Sequence, residues 1–163
     1  MRFGAEEQTM QFRMTLMSMF AVAAIAACGG KAKGPDTGGG ADSGATLYDR
    51  LGKKDAITAV VKDFVEERVA KDDRIKSFFL NTDIPNLENK LVEQICQAAK
   101  GPCTYTGKDM KTVHATLKIK DADFNALVED LKASLDHFKV GDQEQKELIG
   151  ALATMHDDIV TAK

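Results

Sequence analysis

Three histidines and three cysteines carry most of the metal and redox chemistry open to this 163-residue chain. His114, His137 and His156 are spaced too irregularly for a helical two-histidine zinc site, and there is no HExxH run. His137 stands beside Phe138 at the end of an apolar stripe, where a polar or positive group suits the C-terminal end of a helix dipole. His156 lies next to Asp157 and Asp158, and both of these histidines read as structural or solvated groups. His114 differs, because it follows Met110 by one helical turn and precedes Leu117 and Ile119, so its imidazole projects from an apolar face. Spacing alone leaves it either a satisfied core histidine or a ligand. Cys96 and Cys103 flank Gly101-Pro102 and could form a local disulfide or remain two buried thiols; an oxidising compartment favours the bond. No Ser, His and Asp order suggests nucleophilic catalysis, no Gly-rich loop follows a strand, and the acidic residues are scattered along solvent faces.

The elements that must position these groups are bounded by composition. The chain is 44% hydrophobic and 29% charged, enough apolar material for one domain with a sizeable core and too much for a disordered chain. Lys+Arg at 22 against Asp+Glu at 25 leaves no cationic excess to hold a phosphate backbone, which argues against nucleic acid as a partner. The one long uncharged run, Met14 to Ala27, is shorter than the roughly 20 residues a spanning helix needs.

That run has the order of a secretory signal, with Arg13 before an apolar stretch that ends in small residues. Glu6 and Glu7 do not suit a positive start, which places the signal's own beginning at Met10 or Met14. Ile25-Ala26-Ala27-Cys28 resembles the lipobox of bacterial lipoproteins, in which the cysteine is acylated and becomes the new N-terminus. Residues 1–28 are thus expected to be a lipoprotein-type signal, with a short buried helix as the alternative. Residues 29–45 are rich in Gly, with no large apolar side chain, and are expected to tether the folded part to the anchor. The expected location is a bacterial membrane facing the periplasm or the cell exterior.

From Thr46 onward apolar residues recur at helical intervals. Ile57, Val60, Val61, Phe64 and Val69 predict a first long helix over about Asp55 to Ala70. Leu87, Leu91 and Ile95 predict a second, entered through Pro85-Asn86. Phe124, Leu127, Val128, Leu131, Leu135 and Phe138 predict a third, with Asp121 as its cap. A last stripe, from Leu148 through Ile149, Leu152, Met155 and Ile159 to Val160, follows Asp142 and Gln145, which resemble a capping box. Lys100 to Gly107 reads as loop. Four main helices around one core make an all-α, bundle-like domain over residues 46–163.

Several segments also resemble a family. Thr46-Leu47-Tyr48-Asp49-Arg50-Leu51-Gly52, Asp55-Ala56-Ile57, Phe64, Ala70-Lys71-Asp72-Asp73-Arg74-Ile75 and Phe78-Phe79 look like the opening helices of group I truncated haemoglobins. Tyr105 through His114 resembles that family's haem-binding segment, and Ile119 through Phe124 the start of its next helix. The resemblance implies a two-over-two helical sandwich around haem b, with a shortened first helix and a looped segment before the proximal histidine. It implies that His114 ligates the iron, since neutral imidazole is the axial ligand of globins. Phe78, Phe79, Leu87, Leu91, Met110, Ile119 and Phe124 fall at positions expected to line the haem pocket, with Phe64, Val65, Leu87, Leu91 and Gln94 on the ligand side.

Two departures from the family pattern bear on ligand chemistry. Val65 stands where many members carry Tyr, and one extra residue falls within Phe64-Val65-Glu66-Glu67-Arg68. Leu87 and Leu91 take positions that are often polar, leaving Gln94 as the nearest hydrogen-bond donor. Loss of a charge-assisted donor weakens dioxygen retention by about 1–3 kcal/mol. The family's double-Gly pairs are also reduced, to Gly52-Lys53 and Lys100-Gly101. The implied function is reversible binding of dioxygen, carbon monoxide or nitric oxide, for oxygen transfer or nitric oxide handling, with an unknown reductase keeping the iron reduced. The alternatives are a nitric oxide dioxygenase or peroxidase-like enzyme, and a haem-less helical lipoprotein serving as an interaction or sensor module.

Overall fold

A computed structural model describes residues 44–162. The signal, the tether up to residue 43 and Cys28 lie outside the described residues. Among the described residues every regular element is helical, and no helix is long and apolar enough to cross a membrane.

The short helix α1 (Leu47–Arg50) is held by reciprocal caps: Thr46 Oγ1 accepts from Asp49 N–H, and Asp49 accepts from Thr46 N–H, both at 3.2 Å. Gly52 then turns the chain with φ of 85°, and a Cβ there would stand 2.8 Å from that of Ala56. Helix α2 (Lys53–Lys62) follows and buries Ile57, Val60 and Val61.

The first long helix does not stay α-helical to Ala70. It widens into a π-helical turn, Asp63–Arg68, and closes in a 3-10 turn, Val69–Lys71. A π turn closes on i→i+5 bonds and so takes up one more residue than an α turn. A π turn at this place can take up the extra residue expected between Phe64 and Arg68, and Phe64 and Val65 are both buried. A 3-10 turn, Lys76–Phe79, leads on to α3 (Ile84–Ala98).

Helix α3 begins where Asp83 accepts from Asn86 N–H at 3.1 Å, with Pro85 in the first turn. Asp83→Ala should therefore lower stability by about 1 kcal/mol, read as a shift of the urea midpoint at constant slope. The helix ends at the disulfide between Cys96 and Cys103, whose Cα atoms are 5.8 Å apart. Gly101 has no room for a side chain, since a Cβ would lie 2.5 Å from the Tyr48 ring and 2.7 Å from Cys96 Sγ.

The loop that follows leads into α4 (Met110–His114), where Asp109 caps Thr112 N–H at 2.8 Å. Helix α5 (Asp121–His137) is capped by a different residue than expected. Lys120 is its N-cap, and Asp123 reaches back to accept from Lys120 N–H at 2.9 Å. Asp121 is free for another partner, described below. The expected capping box at Asp142 and Gln145 is also absent. Gly141 caps α6 (Asp142–Ala153) without a side-chain bond, and Gln145 is buried, donating to Asp136 Oδ1 at 2.7 Å and to Val140 C=O at 2.9 Å. The last stripe divides into α6 and α7 (His156–Ile159). At the break Thr154 Oγ1 donates to Ala151 C=O at 2.7 Å, a local bond that competes with helix continuation.

The helices pack as two pairs, α2 against α3 and α5 against α6. The pairs meet where the π turn rests on α5 and α3 on α6, which is a two-over-two sandwich. Arg50 ties α1 to α6 through Glu144, at 2.9 Å, and Glu147. Buried Val61, Val69, Leu135 and Leu148 mark the core where these elements meet.

Candidate functional site

The sandwich holds a cavity of about 370 Å³ that is partly open to solvent. The π turn contributes Phe64 and Val65, α3 contributes Leu87 and Leu91, and α5 contributes Phe124, Leu127 and Leu131. Phe79, Met110 and His114 also line it, while Phe78 and Ile119 do not. Phe78 packs against the core beneath. Ile119 is buried, and its carbonyl accepts from Thr161 and Ala162 N–H at 3.0 and 2.9 Å, binding the C-terminal segment to the junction of α4 and α5.

His114 is half-buried at the end of α4. Its Nδ1 lies 2.8 Å from Met110 C=O. A carbonyl can only accept, so Nδ1 carries the proton, and the lone pair of the neutral ring is on Nε2. Among the described residues Nε2 makes no hydrogen bond. This is the arrangement in which an outer-shell carbonyl fixes the tautomer and direction of a metal-binding imidazole.

Gln94, expected as the nearest donor on the ligand side, has its amide turned to two thioethers, Met110 Sδ at 3.4 Å and Met155 Sδ at 3.3 Å. A polar cluster adjoins the cavity through Lys90 and Tyr105. Glu93 accepts from Thr106 N–H at 3.0 Å, from Thr106 Oγ1 at 2.8 Å and from Lys90 Nζ at 3.0 Å, which together hold its carboxyl down at about 2. Burial pushes the Tyr105 hydroxyl up, and that hydroxyl donates to Lys108 C=O at 2.9 Å. Tyr105 and Lys90 both line the cavity. Tyr105 opens the segment that resembles the haem-binding one, whereas Lys90, next to Leu91 in the second helical stripe, did not stand out in the sequence.

The family assignment rests on similarity across the whole of this sandwich. The bacterial-like globin family matches residues 46–161. The group 1 truncated haemoglobin GlbN of Mycolicibacterium paratuberculosis is 34% identical over 119 residues, spanning 73% of this chain and 87% of that protein. The chain belongs to the group 1 truncated haemoglobins. The globin of Tetrahymena pyriformis in the same group is 33% identical over 97 residues, covering 60% of this chain and 79% of its own. Its crystal structure in the Fe(III) form superposes with a TM-score of 0.68 at 29% identity, over 71% of this chain and 98% of that one.

Haem is the cofactor of this globin family, and diatomic gases such as oxygen are its ligands. The residues present fit the group. An apolar cavity suits a porphyrin face, and the free Nε2 of a neutral imidazole, directed by its own backbone bond, suits the iron.

His156, on α7, meets this globin's site only through Phe124. Its Nδ1 pairs with Asp157 and its Nε2 with Asp121, each at 2.9 Å, and its ring meets that of cavity-lining Phe124 edge-on at 4.8 Å between centroids. The Asp157 hydrogen bond, with that of Asp121, raises the imidazole above its ordinary range. A raised folded-state value means the clamp's contribution is complete below the unfolded histidine value, about 6.5. It is then lost as pH rises through the higher folded value. The stability gap between the native chain and His156→Ala should accordingly narrow from mildly acidic to alkaline pH, measured by urea unfolding at each pH. A gap independent of pH would contradict the clamp.

Proposed function

We propose that this globin holds haem through His114 Nε2 and binds small uncharged diatomic ligands reversibly, for oxygen transfer or nitric oxide handling. The observation that carries the reading is the Nδ1 bond to Met110 C=O, which leaves Nε2 as an unpaired base lining an apolar cavity. When bound, haem would supply an iron able to take a gas molecule. The protein's part is positioning and exclusion of water. Met110 C=O aims the imidazole, and Phe79, Phe124 and Leu127 offer apolar contact to the macrocycle. Lys90 at the rim offers a cation to the carboxylates at the macrocycle's edge.

Phe64, Val65, Leu87 and Leu91 bring no hydrogen-bond donor into the cavity. Retention of dioxygen then depends on the iron with little help from the protein, which favours release and exchange over tight storage. A reductase of unknown identity would keep the iron ferrous.

Export and anchoring belong to the same proposal, supported by the order Arg13, apolar run, Ile25-Ala26-Ala27-Cys28. Acylation of Cys28 would hold the globin at a bacterial membrane, with the Gly-rich residues before Thr46 as tether. Spectra of the ferric, ferrous and carbon-monoxide forms test the haem reading. A Soret band that shifts with carbon monoxide is expected, and no haem uptake would refute it. Incorporation of labelled fatty acid that disappears in Cys28→Ser tests the anchor, and label retained in that variant would refute it.

A further inference from the structure

The two ends of the π turn, Asp63 and Arg68, are joined by an ion pair, in which Arg68 Nε donates to Asp63 Oδ2 at 3.3 Å. The Asp63 side chain is only 13% exposed, and its other carboxylate oxygen lies 4.0 Å from His137 Nε2 of α5. The partners are five residues apart, whereas the neighbouring pairs, Lys62 with Glu66 and Lys71 with Glu67, keep the four-residue spacing of an α-helix.

That spacing constrains the backbone. Five residues make about 1.4 turns of an α-helix, which sets i and i+5 on different faces, but a single turn when the bonds run i→i+5. In an uninterrupted α-helix Arg68 would stack over Phe64 and Val65, and the Asp63 carboxylate would stay largely buried without its cation. Leaving such a group unpaired costs more than the pair itself contributes, so the ion pair favours the wide turn over the narrow one. Inside the fold, Phe64 and Val65 are adjacent in sequence, both buried and both lining the cavity. Their carbonyls both accept from Val69 N–H, which ties the two side chains' positions to the turn. An α turn takes up one residue fewer and would swing one of the two out of the wall.

We propose that Asp63 and Arg68 are a positioning pair for the ligand side of the cavity: by holding the π turn open they keep Phe64 and Val65 inward together, as a wall without a hydrogen-bond donor. The inference rests on the haem reading above, which makes this wall one that a bound gas meets. Neither Asp63 nor Arg68 lines the cavity, so both act through the turn.

Two readouts on the full chain test the pair, one without haem and one with it. Without haem, amide hydrogen exchange over residues 64–69 reads the turn. Asp63→Asn and Arg68→Ala should speed that exchange by about 10-fold, and Arg68→Lys, which keeps the charge but not Nε, by less. Lys62→Ala breaks an exposed four-residue pair on the same stretch and should leave exchange unchanged. With haem in the ferrous form and carbon monoxide as the probe, the native chain should show one C–O stretching band. Asp63→Asn and Arg68→Ala should add a second band, from a second arrangement of the wall, and speed bimolecular recombination after photolysis by about 3- to 10-fold. Lys62→Ala should again match the native chain.

Native exchange and native recombination in all three pair variants, with a normal Soret band, would overturn the proposal and leave the haem reading standing. An equal response of Lys62→Ala would mark a general loosening of the helix and would overturn it too. Faster exchange with an unchanged band and unchanged rates would show that the pair holds the turn but not the wall, which removes its part in ligand binding. Failure of the native chain to take up haem would sink the haem reading and that part with it, while exchange would still decide whether the pair holds the turn.

Discussion

Replacing His114 by Ala should raise the rate of haem loss to an acceptor apoprotein by at least about 100-fold, the upper end of what removing only an outer-shell partner costs. The full effect follows because the cavity offers no second base of the same kind. Among its lining residues the only other nitrogen groups are the Gln94 amide, committed to two thioethers, the Asn86 amide and the Lys90 ammonium. The fold should survive, since His114 is half-buried at the end of a five-residue helix and the main core lies among Val61, Leu135 and Leu148. Far-ultraviolet circular dichroism should therefore keep most of its helical signal while haem transfer accelerates. Equal rates of haem loss in the two proteins would remove His114 from the site.

Breaking the disulfide should have the next largest effect, this time on stability. Cys96 and Cys103 are 7 residues apart, and closing so short a loop stabilises by about 2–3 kcal/mol in the chain-entropy picture. The loop that it closes also meets α1, where Tyr48 N–H donates to Ala99 C=O at 2.9 Å. The double variant Cys96→Ser with Cys103→Ser should lose that amount in urea unfolding, and reduction of the native chain should lose a similar amount. Haem retention should suffer far less than in His114→Ala. The loop beyond Cys103 keeps other anchors to α3, with Tyr105 N–H donating to Gln97 Oε1 at 2.6 Å and Thr106 held by Glu93. Identical midpoints in the three states would show that the bond closes a loop already ordered without it.

The helices were legible because they are written at a spacing of three and four, whereas spacing alone left His114 either a core histidine or a ligand. Met110 and His114 share a helical face in any short helix, and the backbone bond between them follows from that geometry. The π turn was legible only as one residue too many between Phe64 and Arg68, because a count of residues does not say which turn will widen. Caps were the least legible feature. Asp121 has the right type and place for a cap, yet a partner remote in sequence, His156, takes its carboxylate, and Asp123 serves the turn instead. Gln145 likewise turns inward to Asp136 and Val140 rather than back to its own helix start. Leu127, Leu131 and Leu152 line the cavity but share their stripes with true core residues such as Leu135 and Leu148. An apolar stripe is the same whether it meets a neighbouring helix or a cofactor, so those residues could be placed only by the fold.

The most direct test of the account is imidazole rescue of His114→Gly, followed by absorption spectroscopy in the ferrous state with and without carbon monoxide. Native protein should show a histidine-ligated Soret band that shifts on adding the gas. His114→Gly should lose that band and regain it when free imidazole is supplied, because the glycine leaves space for the ring. A variant whose spectrum matches the native one without imidazole would contradict the assignment of His114 as the iron's protein ligand.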